Sequence, residues 1–279
     1  MKSFGKRRRM KKAVLYPVII LMSLISFIPF FVLFQITFST PEEMSQLGIW
    51  HVPSFTPDNI TTSWEESNLG LAMLNSAVVT VSGVILTVLI SCAAAYIIAR
   101  SKTKLTNAVY NVFIFSMAIP TIISTVPLYL TMRTLQAVNT LWGIILVCVA
   151  SSLPFAIFLY TGFIRNTPVE MEEAAIIDGC NNFSVLWRVL FPVLKPVTLT
   201  VVLLNTVYYW NEYGRSVFFL QKRQLYTVPL AISTFIQQYS TSWGLMAGGA
   251  FVALIPAVII FLIFQKYYVK GISAGAVKG

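Results

Sequence analysis

The sequence predicts an all-α membrane protein with six transmembrane helices, and three observations support this prediction. Of its 279 residues, 57% are hydrophobic and only 11% are charged, and its mean hydropathy of +0.76 lies far above that of soluble domains. The apolar residues form runs of about 20 or more, which are long enough to cross a ~30 Å hydrocarbon core. The basic residues divide unequally between the two ends of these runs, as in membrane proteins of fixed topology.

The apolar runs follow a basic arm at 1–12. The first run is longer than the h-region of a cleavable signal peptide, and no small-residue cleavage site follows it before Pro41, so we predict an uncleaved first span. Polar segments separate the later runs, and a tail at 269–279 follows the last one. The predicted spans lie at about 13–38, 71–99, 108–131, 141–164, 197–220 and 243–268.

The distribution of lysine and arginine predicts that both termini are cytoplasmic. Sixteen of these 20 residues fall on the side of the N-terminal arm, whereas the polar loop at 39–70 carries five acidic residues and no basic one. The positive-inside rule therefore puts this loop outside and the segment 165–196 in the cytoplasm. The four basic residues predicted to lie outside are Arg133, Arg215, Lys222 and Arg223.

The predicted cytoplasmic segment begins with a well-marked short helix at about 168–178. Thr167 can serve as its N-cap, Pro168 suits the first helical position, and Glu170 completes a capping box. The acidic residues of the first turns are favoured by the helix dipole. Gly179 can adopt the left-handed conformation that ends a helix.

A second helix is predicted after Asn181 and Asn182, and it should end at Pro192 and Pro196. We expect its apolar stripe to face the lipid boundary or the body of the protein. The stripe consists of Phe183, Leu186, Trp187 and Leu190.

The fifth predicted span carries a polar and aromatic cluster that suggests a substrate pathway. Its candidate residues are Tyr209, Trp210, Asn211 and Glu212. At ~1.5 Å per residue the cluster lies about 21 Å along the span, toward the outer half. Polar groups at this depth usually face a cavity, and aromatic faces beside amide groups suit sugar rings. The alternative is an interfacial aromatic belt in which Glu212 pairs structurally with Arg215, and the sequence leaves both interpretations open.

Absent motifs exclude several functions. No G-x-x-x-x-G-K-[ST] loop is present, so no P-loop nucleotide site is expected. Apart from Glu212, the predicted spans carry no acidic side chains in their interiors, so a proton or sodium relay is not expected. The three cysteines lack disulfide or metal-site spacing, and the lone His51 lies in a polar loop. The basic residues are not interleaved with aromatic ones, so nucleic acid is not an expected partner. We predict a chain without catalytic residues, metal or cofactor.

The segment 165–196 resembles a known motif. Glu173-Ala174-Ala175 with Asp178-Gly179, followed by Pro192, is similar to the E-A-A-x-x-D-G motif and trailing L-P of the inner-membrane permeases of bacterial ABC importers. The resemblance covers essentially the whole chain and is to the maltose-type, six-span carbohydrate branch. Further matching stretches are Asn75-Ser76, Trp210-Asn211-Glu212 and the ending from Gln265. Cys180 replaces a usual Ala, and Phe191 replaces a usual Leu.

The resemblance implies a permease subunit in the bacterial plasma membrane that forms half of a sugar pathway by alternating access. The implied partners are the lipid bilayer, a second homologous permease, two ATP-binding subunits that hold ATP and Mg, and an extracytoplasmic sugar-binding protein, toward which the outer loop at 221–242 can reach. The helix at 168–178 would be the coupling helix, with Glu173 facing basic groups of the ATPase. The implied coupling residues are Glu170, Glu173, Ala174, Ala175, Asp178 and Gly179. The alternative function is a self-contained, ion-coupled secondary sugar transporter.

Overall fold

The computed structural model describes residues 2–101, 103–236 and 242–276, and every regular element in these ranges is a helix. Met1, Lys102 and parts of the predicted outer loop at 221–242 and of the predicted tail at 269–279 lie outside the described residues. In chain order the helices are α1 (Lys2–Phe38), α2 (Pro41–Leu47), α3 (Asp58–Glu66), α4 (Leu69–Ser101), α5 (Lys104–Ser116), α6 (Thr121–Thr134), α7 (Leu141–Arg165), α8 (Glu170–Ile177), α9 (Asn182–Ser184), a π-helical turn (Val185–Leu190), α10 (Phe191–Val193), α11 (Lys195–Trp210), α12 (Ser216–Phe219), a 3₁₀ turn (Arg223–Leu225), α13 (Val228–Ser233) and α14 (Trp243–Ala276).

The chain divides into two compact units. The first unit contains the residues up to Ser67 together with Ile232–Leu254, and the second contains Asn68–Ala231 and the residues from Ile255 onward. α1, α2, α3 and the beginning of α14 thus belong to the first unit, whereas α4 to α12 belong to the second.

In the first unit, Asn59 of α3 closes the C-terminal end of α1. Its side-chain amide donates hydrogen bonds to the carbonyl oxygens of Ile36, Thr37 and Ser39, at 3.1, 3.2 and 2.9 Å. The carbonyls of Ile36 and Thr37 have no partner within a helix that ends at Phe38, and the two N–H groups of the amide are shared among these two carbonyls and that of Ser39. A Cβ at Gly248 would collide with the backbone of Asn59, so glycine permits the close approach of α14 to α3.

α2 begins with a complete capping box. The Thr40 hydroxyl accepts from the Glu43 backbone N–H at 3.2 Å, and the Glu43 carboxylate accepts from the Thr40 N–H at 2.9 Å. The same carboxylate oxygen accepts from the Ser54 hydroxyl at 3.1 Å. The Thr40 backbone bond, with the smaller contribution of Ser54, holds the pKa of Glu43 below its usual value.

α4 and α7 form the centre of the second unit, and α11 packs against both. The spans predicted at 71–99 and 141–164 correspond to these two helices within two residues at each end. Small residues on α4 allow the helices to approach closely, as is common between membrane helices. The fully buried side chains of this core include Cys92, Ala95, Ile144, Cys148, Tyr160 and Ile164.

Two of the predicted spans are not single straight helices. The span predicted at 108–131 consists of α5 and α6, which are bent by 111° where residues 117–120 join them. The span predicted at 197–220 ends at Trp210, and the helical stretch Asn182–Val193 before it is bent by 80° against α11. Four described helices are long and apolar enough to cross a membrane, or up to six if each bent pair is one span. The six-span topology stays a prediction.

The second helix of the segment 165–196 also differs from the prediction. Pro192 does not end it, because the helical stretch Asn182–Val193 passes through α9, the π-helical turn and α10. Pro192 is the second residue of α10, which directly follows the π-helical turn.

Candidate functional site

α8 begins later than the sequence predicts. Thr167 is not its N-cap, because the Thr167 hydroxyl donates to the carbonyl of Phe163 at 3.1 Å and so closes the end of α7. The first intrahelical bonds of α8 run instead from the N–H groups of Glu172 and Glu173 to the carbonyl of Val169, at 2.9 and 3.1 Å. The predicted capping box is therefore wrong.

α8 ends as the sequence predicts, at a left-handed glycine. Gly179 has φ +87°, and its N–H donates to the carbonyl of Ile176 at 3.0 Å. The N–H of Cys180 donates to the carbonyl of Ala175 at 2.9 Å. This pair of bonds is a Schellman motif, which satisfies the last carbonyls of the helix.

One face of α8 is open to solvent. Glu170, Glu173, Ala174 and Ile177 are exposed and share one stripe, at positions i, i+3, i+4 and i+7. Five of the six residues implied as coupling residues are exposed. Three of these five lie on the stripe, and the other two are Asp178 and Gly179. Ala175 is buried on the opposite face.

Large apolar side chains accompany this stripe. Ile177 is 85% exposed, and Phe183 in α9 is 72% exposed, whereas Leu186 and Leu190 are buried. Phe183 is therefore exposed while Leu186 and Leu190 of the same predicted stripe are buried, and the orientation of this stripe toward lipid or protein stays a prediction. Exposed apolar side chains outside the apolar spans mark a surface that another protein can cover.

The buried face of α8 is fixed to the end of α4. Arg100 donates to one oxygen of Glu172 from Nε at 3.0 Å and from Nη2 at 2.5 Å, and Nη2 also donates to the carbonyl of Thr167 at 3.2 Å. Glu172 is only 4% exposed. The sequence analysis did not pair these residues, although Arg100 is the first charge after the apolar run of α4.

A second polar region lies where α11 ends. Glu212 is 7% exposed, and its carboxylate accepts from the backbone N–H of Arg215 at 2.6 Å and from Arg215 Nη1 at 3.1 Å. Arg215 Nη1 also donates to the hydroxyl of Tyr208. The structural pairing that the sequence left open is thus present.

A cavity of about 510 Å³ lies beside this ion pair, within the second unit. It lies between the start of α6 and the end of α11. A neighbouring cavity of about 250 Å³ shares Thr121, Thr125 and Arg215 with it. The lining residues of the larger cavity are Thr121, Ile122, Thr125, Val207, Tyr208, Asn211, Glu212, Tyr213, Gly214 and Arg215.

The predicted pathway residues divide into two groups. Asn211 and Glu212 line the larger cavity, whereas Tyr209 and Trp210 do not. Tyr209 is 1% exposed, and its hydroxyl lies 2.7 Å from Thr87 Oγ1 and donates to the carbonyl of Cys148 at 3.3 Å. Tyr209 thus ties α11 to α4 and α7.

Sequence reasoning missed the α6 side of this cavity. The signal was the hydroxyl-rich stretch after Pro120, because such residues are unusual on a lipid-facing surface. The described residues include no group of three His, Cys, Asp or Glu that could hold a metal ion.

Comparisons with known proteins show the family of the chain. Residues 87–274 match the family described as "Binding-protein-dependent transport system inner membrane component". The melibiose/raffinose/stachyose import permease protein MelC of Bacillus subtilis (strain 168) is 36% identical, over 91% of this chain and 92% of MelC. The probable starch degradation products transport system permease protein AmyC of Thermoanaerobacterium thermosulfurigenes is 30% identical, over 93% of this chain and 94% of AmyC.

A solved structure shares the fold. The crystal structure of a bacterial ABC transporter involved in the import of the acidic polysaccharide alginate has a TM-score of 0.82, with 19% identity over 93% of this chain and 97% of that one. The helical fold and these matches define a multi-pass membrane permease. The chain belongs to the family of inner-membrane components of binding-protein-dependent transport systems, which confirms the resemblance seen in its sequence.

Proposed function

We propose that this chain forms half of the transmembrane pathway of an ATP-driven carbohydrate importer, and that α8 couples the pathway to a separate ATP-binding subunit. The observation that carries this proposal is the division of α8 into an exposed acidic stripe and a face fixed to α4 through Glu172 and Arg100. One face is free for a partner, while the other transmits its movement to the spans.

The exposed face of α8 suits a basic surface with an apolar pocket. Glu170 and Glu173 supply negative charge, and the methyl group of Ala174 lets a partner approach the helix backbone. Burial of Ile177 and Phe183, both largely exposed in this chain, would supply the apolar core of the contact. Such a contact is expected of the implied coupling residues, which include Asp178 and Gly179 at the end of the helix.

The proposed assembly follows from the family. It contains a second homologous permease, two ATP-binding subunits that hold ATP and Mg, and an extracytoplasmic binding protein. The chain would lie in a bacterial plasma membrane with both termini cytoplasmic, as its charge distribution predicts. The predicted segment 165–196 would then face the ATPase.

The proposed substrate is a sugar or oligosaccharide. The curated relatives MelC and AmyC are named for melibiose, raffinose and stachyose, and for starch degradation products. In this chain, Tyr208, Asn211 and Tyr213 offer aromatic faces and an amide to the cavity, while the charge of Arg215 is balanced by Glu212. A wall of aromatic and neutral polar groups suits the C–H faces and hydroxyl groups of a sugar.

The test is reconstitution of the whole transporter in proteoliposomes, with ATP on the side of the ATPase and uptake of radiolabelled raffinose and maltotriose measured. Uptake of at least one sugar should need ATP and the binding protein and should ignore an uncoupler. Uptake by this chain alone, abolished by an uncoupler and indifferent to ATP, would establish the ion-coupled secondary transporter instead.

A further inference from the structure

The side chain of His51 joins the turn 48–51, which follows α2, to the end of α1. Its Nδ1 lies 2.7 Å from the carbonyl oxygen of Gly48, and its Nε2 lies 3.1 Å from the hydroxyl oxygen of Ser39. Gln35 of α1 holds the same turn, since its side-chain amide donates to the backbone carbonyls of Ile49 and His51. The imidazole is largely removed from solvent, with 8% of the side chain exposed.

The hydrogen-bond partners of the imidazole determine how many protons it carries. A carbonyl oxygen can only accept, so Nδ1 must carry a proton to bind Gly48. The hydroxyl of Ser39 has a single proton, which it donates to the carbonyl of Gln35 at 2.7 Å. The oxygen of this hydroxyl can then only accept from Nε2, which must carry a proton as well. All of these bonds are therefore made together only by the charged, doubly protonated ring.

The charges around the ring also favour its protonated form. Oε2 of Glu43 lies 3.8 Å from Nε2, and no other described carboxylate lies within ion-pair distance of the ring. Residues 13–67 and 232–254, which belong to the first unit, include five acidic residues and no lysine or arginine. The backbone bond from Thr40 lowers the pKa of Glu43 most, and the nearby His51 adds a smaller contribution in the same direction.

Loss of the second proton breaks this arrangement. A neutral ring that keeps its bond to Gly48 has no proton on Nε2. The Ser39 hydroxyl can then donate either to Nε2 or to the carbonyl of Gln35, but not to both. One hydrogen bond and the attraction to Glu43 are therefore lost together. Histidine is the side chain whose charge ordinarily changes between about pH 5 and 8, so this loss falls within a physiological range.

We propose that His51 is a pH-sensitive clasp, which holds the turn 48–51 against the end of α1 when the imidazole is protonated and loosens it when the imidazole is neutral. The contribution of the protonated ring is present at low pH and is lost as the pH rises. The contribution of Glu43 is lost in the other direction, as the pH falls through a folded pKa below the usual 4.5. The turn is thus held most firmly in mildly acidic solution. If the loop 39–70 lies outside, as its charge predicts, the clasp responds to the external medium.

The protonation state can be read directly, because His51 is the single histidine of the chain. The full-length protein is labelled with ¹⁵N at histidine, purified through a tag without histidine and reconstituted in lipid for NMR. At about pH 5.5 the shifts should report a proton on both ring nitrogens, and at about pH 8.5 a proton on Nδ1 alone. A ring that is neutral at the lower pH, or protonated on Nε2 instead of Nδ1 at the higher pH, would overturn the proposal.

Hydrogen exchange of the same protein measures what the second proton does to the turn. The protection factor of the amides in 48–54 already corrects for the effect of pH on intrinsic exchange. In the native chain it should be about five- to tenfold higher at about pH 5.5 than at about pH 8.5, since a hydrogen bond and an ion pair are added. Equal protection at both pH values would refute the clasp.

Two variants locate the source of this pH response. His51→Gln retains an amide that can donate to Gly48 but gains no charge, so its protection factor should not depend on pH in this range. Ser39→Ala keeps the histidine and removes the hydroxyl whose proton is contested, so the response should be smaller than in the native chain. A full response that persists in His51→Gln would assign it to another group, and a full response in Ser39→Ala would contradict the role of the hydroxyl. Exchange within α7 should be unchanged in both variants, which shows that the fold is intact.

Discussion

Arg100 and Glu172 lie 72 positions apart in the chain, yet two guanidinium nitrogens of Arg100 bind the same carboxylate oxygen of Glu172, at 3.0 and 2.5 Å. The pair joins the last turn of α4 to the inward face of α8. Both side chains are largely removed from solvent. In the proposed importer, this contact would link the ATPase-facing helix directly to the predicted second span.

Arg100→Ala should lower the free energy of unfolding by about 3–5 kcal/mol, because it leaves the Glu172 carboxylate buried without its counter-charge. Thermal denaturation of the purified complex measures the loss. The double variant Arg100→Leu/Glu172→Leu should recover most of the stability, since no lone charge remains. Its ratio of sugar transported to ATP hydrolysed should nevertheless fall, and an unchanged ratio would show that the pair serves stability alone.

Glu173→Lys should weaken association with the ATP-binding subunit about tenfold or more while membrane insertion stays intact, because the side chain is exposed and reverses charge on the proposed contact face. Co-purification of the ATPase measures the effect. Glu65→Lys, a reversal at another exposed acidic residue, is the matched control and should have no effect. Normal co-purification and uptake by Glu173→Lys would contradict the coupling assignment.

Gly179→Ala should destabilise the end of α8 by about 1–2 kcal/mol, because a left-handed conformation places Cβ too close to the backbone. Hydrogen exchange at the amides of Gly179 and Cys180, which close the helix, should accelerate accordingly. Gly162→Ala is the control, since a Cβ there meets no atom within 4 Å and the residue lies inside α7. Slower exchange in Gly179→Ala than in the native chain would refute the strain argument.

Asn211→Ala should impair sugar uptake about two- to tenfold without disrupting assembly, because one neutral hydrogen bond to the substrate is lost. Tyr209→Phe should instead lower stability by about 1 kcal/mol and leave uptake unchanged, because it removes a buried hydroxyl that contacts Thr87. Uptake kinetics and thermal denaturation of both variants distinguish cavity lining from helix packing. Normal uptake in Asn211→Ala would show that the residues of this cavity serve the structure of the protein and not the binding of the sugar.

The capping box of α2 should be sensitive to acid. The folded pKa of Glu43 lies below its usual value of 4.5 because the carboxylate accepts bonds from Thr40 and Ser54, so this stabilisation is complete above that value and is lost as the pH falls through the folded pKa. At pH 7, Glu43→Gln should therefore accelerate hydrogen exchange at the Thr40 amide, and at pH 3 the difference from native should diminish. Glu42→Gln is the control and should show no such change. A matching effect in that variant would argue for general charge repulsion instead of the capping box.

The long apolar helices could be predicted because their position depends on local composition. α4 and α7 begin and end within two residues of the predicted spans, since each stretch must be apolar along its whole length. The bend between α5 and α6 could not be located in this way. Pro120 lies at the bend, yet Pro127 and Pro154 lie inside continuous helices, because the effect of a proline depends on its tertiary surroundings.

In the candidate sites, too, features set by the local sequence could be predicted and features set by tertiary contacts could not. The conformation of Gly179 could be predicted because glycine alone adopts it without strain. The role of Thr167 could not be predicted. Its hydroxyl can either accept from an N–H of the following helix or donate to a carbonyl of the preceding helix, and in the structure it donates to the carbonyl of Phe163. The contact of Arg100 with Glu172 and the α6 side of the cavity depend on chain segments far apart in sequence, which a single sequence does not bring together.

α4 and α7 share the most extensive helix contact of the second unit, and each is joined to α8 by a different kind of bond. α7 leads into α8 through the peptide chain at 166–169, and α4 reaches it through Arg100. In the proposed importer, a displacement of α8 would therefore act on α4 and α7 together. We expect these two helices to move as one body, because sliding one past the other would break the close packing of the side chains between them.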